Sequence, residues 1–247
     1  YRSVKRSIGR GGEEGQTAKY ISSLILRHMR VVIMDKIGRA VKDAVITVPA
    51  YFNNLQRQDT KLAGEMAGWN ILKIINEPTA AALSYGVRFK GKNENVLIYD
   101  LGGGTFDVTV LTLDESVFEV KSTAGDTNLG GEDLTQAIMR RVKGRIGNPR
   151  GLSEESLRAH CEACKCDLSY SDSTDVLGVT VTRYQLNIWF DEYILRTTHL
   201  VEKALEDADM VPGDIGKVVL VGGSTRIPKI IHVLKNMFPD SILDNSL

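Results

Sequence analysis

Val96-Leu-Ile-Tyr-Asp-Leu-Gly-Gly-Gly-Thr-Phe-Asp-Val-Thr-Val110 decides the fold class. Val96–Tyr99 is an unbroken apolar run, the mark of a strand buried on both faces. It stops at Asp100 and the glycines Gly102, Gly103 and Gly104. Phe106, Val108 and Val110 then alternate with Thr105, Asp107 and Thr109, which is the strand period. The same design recurs downstream: Val218–Val221 is an apolar strand that runs into Gly222-Gly223-Ser224-Thr225-Arg226. A third cluster is Gly125, Gly130 and Gly131. Without a Cβ, a glycine lets backbone N–H groups approach a phosphate, and neighbouring hydroxyls add donors. One such turn reads equally well as a tight loop. Two of them, each at the end of an apolar strand, point to phosphate binding. Asp100 and Asp107 beside Thr105 form a donor set suited to a water-coordinated Mg²⁺. The competing reading is a solvated hairpin capped by aspartates.

Outward from these turns, strands and helices alternate along the chain, so the class is α/β. Residues 9–15 read as a flexible glycine-rich surface segment. Tyr20, Ile21, Leu24, Ile25, His28, Val31 and Val32 predict an amphipathic helix over 17–34. Ala44–Val48 and Ile71–Ile75 are short strands. Between them a helix over 54–67 carries Leu55, Leu62, Ala63 and Met66 on one side. Pro78 opens a helix reaching about Tyr85. A strand follows at Val117–Val120. Helices over about 131–146 and 154–168 form an insertion between the strand clusters. Residues 176–182 predict one short strand, and 189–208 one long amphipathic helix whose stripe packs in the core. A helix covers about 227–237.

The 247 residues contain 31 Lys+Arg and 31 Asp+Glu, so the formal charge is zero. That balance lacks the basic excess of a nucleic-acid binder. No apolar run is long enough to span a bilayer, so no membrane is expected. Three cysteines do not make a disulfide framework, which favours a reducing compartment: the cytoplasm, or an organellar matrix. His160-Cys161-x-x-Cys164-x-Cys166 does not converge on one ion from a helix, so no zinc is expected. His28 and His199 read as helix-surface residues. The opening at Tyr1 and the end at Leu247 suggest a piece of a longer protein.

Two nucleotide fingerprints fail. Gly102–Asp107 has aspartate where a dinucleotide-binding turn needs its last glycine, and a strand follows rather than a helix. Gly86–Asn93 has P-loop spacing, but Asn93 stands where serine or threonine is required.

Six motifs, in order, resemble the nucleotide-binding domain of the 70-kilodalton heat-shock protein chaperones. They are Val4-Lys-Arg-Ser-Ile-Gly-Arg10; Ala44-Val-Ile-Thr-Val-Pro-Ala-Tyr-Phe-Asn53; Ile75-Asn-Glu-Pro-Thr-Ala-Ala-Ala82; Asp100-Leu-Gly-Gly-Gly-Thr-Phe-Asp107; Phe118–Asp126 with Leu129-Gly-Gly-Glu-Asp133; and Val219-Leu-Val-Gly-Gly-Ser-Thr-Arg-Ile-Pro228. The resemblance implies an actin-like (ribonuclease H-like) fold of two α/β lobes with ATP in the cleft between them. It implies a remnant of lobe I over 1–88, and lobe II over 89–247 with a helical subdomain at about 131–195.

The same resemblance assigns roles. Lys5 matches the lysine that reaches the γ-phosphate and attacking water, and Glu77 a carboxylate near the Mg²⁺ waters. Asp100, Gly102, Gly103, Thr105 and Asp107 match a phosphate loop, with Asp100 holding Mg²⁺ through water. Gly130 and Gly131 match glycines of the nucleotide cleft. Glu162, Lys165, Ser169, Gly223, Ser224 and Arg226 match the adenosine pocket, and Pro49 with Arg57 an allosteric pair. Implied cofactors are ATP/ADP and Mg²⁺. Implied partners are co-chaperones, nucleotide-exchange factors and unfolded polypeptides. Cys166 departs from the family, which has arginine packing on adenine there. The family's first phosphate loop would lie upstream of Tyr1, and internal stretches are shortened after Arg10 and around Asp175–Gly178. A truncated copy with impaired ATPase is therefore expected. The alternative is a non-enzymatic remnant with weak or no nucleotide binding that acts through protein partners.

Overall fold

The protein is described here by a computed structural model, covering residues 3–86, 94–114, 117–146 and 152–245. Most of the 86–93 decoy lies outside these residues. The chain divides into two units, Tyr1–Lys90 and Gly91–Leu247.

The first unit holds a short 3-10 helix at Val4–Ser7, then α1 (Gly12–Ile37), β1 (Asp43–Val48), α2 (Asn54–Met66), β2 (Asn70–Asn76) and α3 (Glu77–Gly86). β1 and β2 pair in parallel, with α2 as the crossover. α2 starts on a capping box in which Asn53 and Gln56 each accept from the other's backbone N–H at 2.9 Å. Gly64 lets α2 settle on the sheet, because a Cβ there would meet Ile71 Cδ1 at 2.7 Å and Ile46 Cδ1 at 2.8 Å. Trp69 and Ile71 pack with Leu26 and Ile33 of α1.

Three expectations change in this unit. Residues 12–15 of the expected flexible segment are helical. Glu13 and Glu14 sit in the first turn of α1, where the helix dipole favours acids, and Arg10 and Ser7 both bond Glu14. The helix expected at 17–34 forms, but Tyr20, Ile25 and Val31 are more than half exposed. It packs instead through Ala18, Leu26 and Ile33. On α2, Leu55, Leu62 and Met66 likewise face outward, while Asp59, Ala63 and Gly64 face inward.

The second unit runs β3 (Glu94–Leu101), β4 (Phe106–Asp114), β5 (Val117–Asp126), α4 (Gly131–Ile146), α5 (Glu154–Asp167), β6 (Ser173–Val176), β7 (Val179–Thr182), α6 (Arg183–Trp189), α7 (Asp191–Asp207), β8 (Lys217–Val221), α8 (Pro228–Met237) and β9 (Ile242–Asp244). Its sheet has the order β5-β4-β3-β8-β9. β3, β4 and β5 form an antiparallel meander, and β8 and β9 run parallel to β3. The parallel β3–β8 register, Asp100 opposite Val221, brings the two glycine turns to the same end of the sheet. Open α/β sheets bind ligands at the carboxyl ends of such strands.

One core of this unit joins Leu97, Tyr99, Phe106, Val108 and Val110 of the sheet to Leu134, Ile138, Leu168, Phe190, Val201 and Ile230 of the covering helices. The alternating strand is buried on its polar side too: Asp107 is 2 % exposed and Thr109 0 %. The solvated-hairpin reading is thereby excluded.

One further expectation changes, and one element is added. Residues 173–182 form a hairpin, not a strand at 176–182. Its turn places Leu177 at φ 55° and Gly178 at φ 83°, and leucine hides the turn because it rarely adopts that conformation. The helix expected at 189–208 forms as α7, Asp191–Asp207, and a short helix that was not expected, α6, runs into it at Phe190, where Lys229 Nζ donates to the Asn187 carbonyl at 2.7 Å. The apolar stripe of this region does lie in the core, with Phe190, Ile194, Val201, Ala204 and Leu205 buried. His28 and His199 are exposed on their helices, as expected.

Candidate nucleotide site

In the first unit, Lys5 and Glu77 form an ion pair, Nζ to Oε1 at 2.8 Å, despite 72 residues of separation. Lys5 lies on the 3-10 helix and Glu77 opens α3 just before Pro78. Arg57 donates to the Phe52 and Ala50 carbonyls at 2.8 and 2.9 Å, clamping the turn that Pro49 begins.

In the second unit, the β3–β4 hairpin closes through Gly102 N–H to the Thr105 carbonyl at 3.1 Å. Asp100 stands directly opposite Asp107 in the antiparallel register. That register puts both side chains on one face of the hairpin, and oxygen donors of this kind suit a hard divalent cation. The hairpin turn docks on the start of α4: Gly131 N–H donates to Gly102 O at 2.9 Å and Glu132 N–H to Gly103 O at 2.8 Å. A Cβ at Gly130 would stand 2.7 Å from both Gly103 O and Gly104 N, so only glycine permits this approach. Ser224 Oγ donates to Gly102 O at 3.2 Å, tying the second glycine turn to the first.

Against these turns opens a cavity of about 540 Å³, a size typical of small-molecule sites. Gly103, Gly131, Glu162, Lys165, Ser169, Gly223, Ser224 and Arg226 all line it. Gly102 and Gly130 do not line it but touch residues that do: Gly102 O accepts from Gly131 and Ser224, and Gly130 packs on Gly103. Asp100, Thr105 and Asp107 do not line it; they belong to the hairpin beside it.

The cavity is strongly polar. Lys165, 7 % exposed, gives one hydrogen bond each to Gly131 O (2.8 Å), Glu162 Oε2 (2.9 Å) and Thr135 Oγ1 (3.0 Å). All three ammonium donors are therefore engaged by protein. Arg158 Nη1 pairs with Glu132 Oε2 at 2.8 Å. Burial works to raise the Glu162 carboxyl, but hydrogen bonds from Thr135 and Lys165 and the charges of Lys165 and Arg158 outweigh it, holding the group below the usual carboxylate range. Arg158, Lys165 and Arg226 set three positive charges against the two of Glu132 and Glu162. Arg226 is exposed at the wall and, among the described residues, pairs with no carboxylate.

Cys166 also lines the cavity and is exposed. Cys161 and Cys164 are buried, and burial pushes their thiols up to about 11 and about 12. Among the described residues no three His, Cys, Asp or Glu side chains gather as a metal site.

Sequence reasoning passed over Thr135, Arg158 and Tyr170, and gave no role to Glu132 within its quoted motif. Helical spacing carried a usable signal. Thr135 is one turn beyond Gly131, and Arg158 one turn before Glu162, on the same face.

The fold and site thus define an α/β domain whose strand-end glycine turns wall a polar cavity. The Hsp70 family model, described as Hsp70 protein, matches residues 4–244. The chain belongs to the Hsp70 family of heat-shock chaperones.

Proposed function

We propose that this chain is an adenine-nucleotide-binding domain, with the second unit's cavity taking the adenosine of ATP or ADP. The observation that carries the reading is the pair of glycine turns locked together at one sheet end beside a cavity with a net positive lining. In this reading Arg226 covers a planar base and Glu162 accepts from a ligand hydroxyl; the support is that both line the cavity. Gly103 and Gly131 offer a wall that a phosphate can approach. The Asp100–Asp107 pair fits Mg²⁺ by its donor chemistry, and Mg²⁺ when bound neutralises phosphate charge. In the first unit, Lys5 supplies an ammonium for the terminal phosphate, held in place by Glu77. Hydrolysis of a phosphoanhydride needs charge neutralisation and water positioning more than covalent help, which suits this set of groups. The reading carries with it the actin-like two-lobed fold, ATP-driven peptide binding and release, and co-chaperones, nucleotide-exchange factors and unfolded polypeptides as partners.

Cys166 provides a direct test. Among the three cysteines it alone is exposed, and it sits in the cavity wall. N-ethylmaleimide is expected to modify Cys166 in the native chain, leaving Cys161 and Cys164 unmodified. Saturating Mg-ADP is expected to slow that modification about tenfold or more, and Mg-GDP to do so less well at equal concentration. Peptide mass mapping over time gives the rates. Identical Cys166 rates with and without Mg-ADP would remove the cavity assignment. Equal protection by the two nucleotides would remove the adenine preference.

A further inference from the structure

Thr135 is buried to 0 % exposure one turn into α4, among three polar partners. Lys165 Nζ donates to its Oγ1 at 3.0 Å. Two acceptors compete for its single proton: Gly131 O, four residues back at 3.0 Å, and Glu162 Oε2, which is closer. The carboxylate wins, because a hydrogen bond to an ionised acceptor is shorter and roughly twice as strong. Glu162 Oε2 is then occupied by both Thr135 and Lys165. Glu162 Oε1 is left with Cys166 Sγ at 3.9 Å as its partner among the described residues.

We infer that Thr135 is a positioning residue of the cavity: its hydroxyl relays between Lys165 and Glu162 and fixes the glutamate so that Oε1 is the atom presented to a ligand hydroxyl. This rests on the nucleotide reading above and adds to it a residue that does not line the cavity. The groups that act on Glu162 are Arg158, Lys165 and Cys166 on its own helix and Thr135 on α4; Glu132, paired with Arg158, lines the same cavity with Tyr170 and Arg226. Arg158 and Lys165 favour the anion from one side. Thr135 is the neutral donor that keeps one oxygen engaged.

The sign of the expected effect is set by the direction of the Glu162 shift. A depressed carboxyl stays ionised as pH falls into the ordinary carboxylate range. Removing the Thr135 hydroxyl moves its protonation upward, so a ligand bond that needs the anion is lost at higher pH. Thr135→Val keeps shape without the hydroxyl; Thr135→Ser keeps the hydroxyl; Thr135→Ala, measured beside them, carries the comparison with serine if the valine variant does not fold. Two readouts are taken. Carbon-13 NMR follows the Glu162 carboxyl in the nucleotide-free chain, and calorimetry follows Mg-ADP affinity against pH. The valine and alanine variants are expected to titrate Glu162 at higher pH than wild type. They are also expected to bind Mg-ADP about tenfold more weakly toward the acid end, the scale of one lost hydrogen bond to a charged group. The serine variant is expected to follow wild type in both. Valine and alanine variants that match wild type in both readouts would overturn the role of Thr135. A wild-type chain that binds no Mg-ADP would overturn the nucleotide reading instead, with the NMR titration still deciding whether Thr135 governs Glu162.

Discussion

Gly222→Ala is expected to destabilise the second unit by more than about 4 kcal/mol, a size that few single substitutions reach. Gly222 follows β8 with φ 89° and ψ 144°, a region that side chains with a Cβ avoid at about 1–3 kcal/mol. A Cβ there would also stand 2.3 Å from Leu101 O, 2.6 Å from Leu101 C and 2.9 Å from Gly102 N. These are backbone atoms. They cannot yield, because Leu101 pairs with Phe106 across the hairpin and Gly102 O already accepts from Gly131 and Ser224. Relief therefore requires prising β8 from β3 at the sheet end that carries both glycine turns. Against a usual net stability of about 5–15 kcal/mol, that is enough to deplete the folded state. The neighbouring Gly223→Ala is the control, since nothing lies within 4 Å of its Cβ position. It is expected to stay within about 0.5 kcal/mol of the parent. Urea unfolding of the three chains measures both values. A Gly222→Ala loss below about 1 kcal/mol would mean that the two turns do not lock as described.

That junction was half legible in the sequence. Val218–Val221 and Val96–Tyr99 both announced strands followed by glycines, because an apolar run and a missing Cβ are local signals. Their adjacency was not local: it depends on β8 joining β3 in parallel after more than a hundred intervening residues. The same divide explains the other differences. The β6–β7 turn places a leucine in the left-handed region, so no glycine–asparagine signature announced it. The α6–α7 junction at Phe190 is held by Lys229, 42 residues away from the carbonyl it donates to. On α1 the apolar positions were legible, but which of its two apolar sides meets Trp69 is settled by the β1–α2–β2 packing. The six motifs located most of the cavity wall, whereas Thr135 and the Arg158–Glu132 pair emerged only once α4 and α5 were side by side.

Lys165→Met is expected to weaken Mg-ADP binding by up to about 30- to 150-fold while the chain stays folded. Methionine reproduces much of the length and apolar stem of lysine, so the packing loss is small. What disappears is the ammonium that joins Gly131 O, Thr135 and Glu162. Gly131 O then loses one of its donors at the base of the glycine turn, and Glu162 faces the cavity with Thr135 alone on Oε2. Truncating one partner of a buried, hydrogen-bonded charge pair costs about 2–5 kcal/mol. Glu162 is 41 % exposed in this pair, so water screens part of the loss and the lower half of that range applies. Because the pair lies within the chain, its loss reaches the nucleotide only through the geometry of Glu162 and the Gly131 turn, and about 2–3 kcal/mol sets the fold-change given as its upper bound. The substitution also separates two roles for Lys165. As all three of its donors are engaged by the protein, it acts on a nucleotide through Glu162 and the Gly131 turn rather than by direct contact. Combining Lys165→Met with Thr135→Val should therefore cost less than the sum of the single losses, because both act on the same glutamate. Calorimetric titration of the two single variants and the double variant measures the coupling. Strictly additive losses would show that lysine and threonine serve the cavity independently.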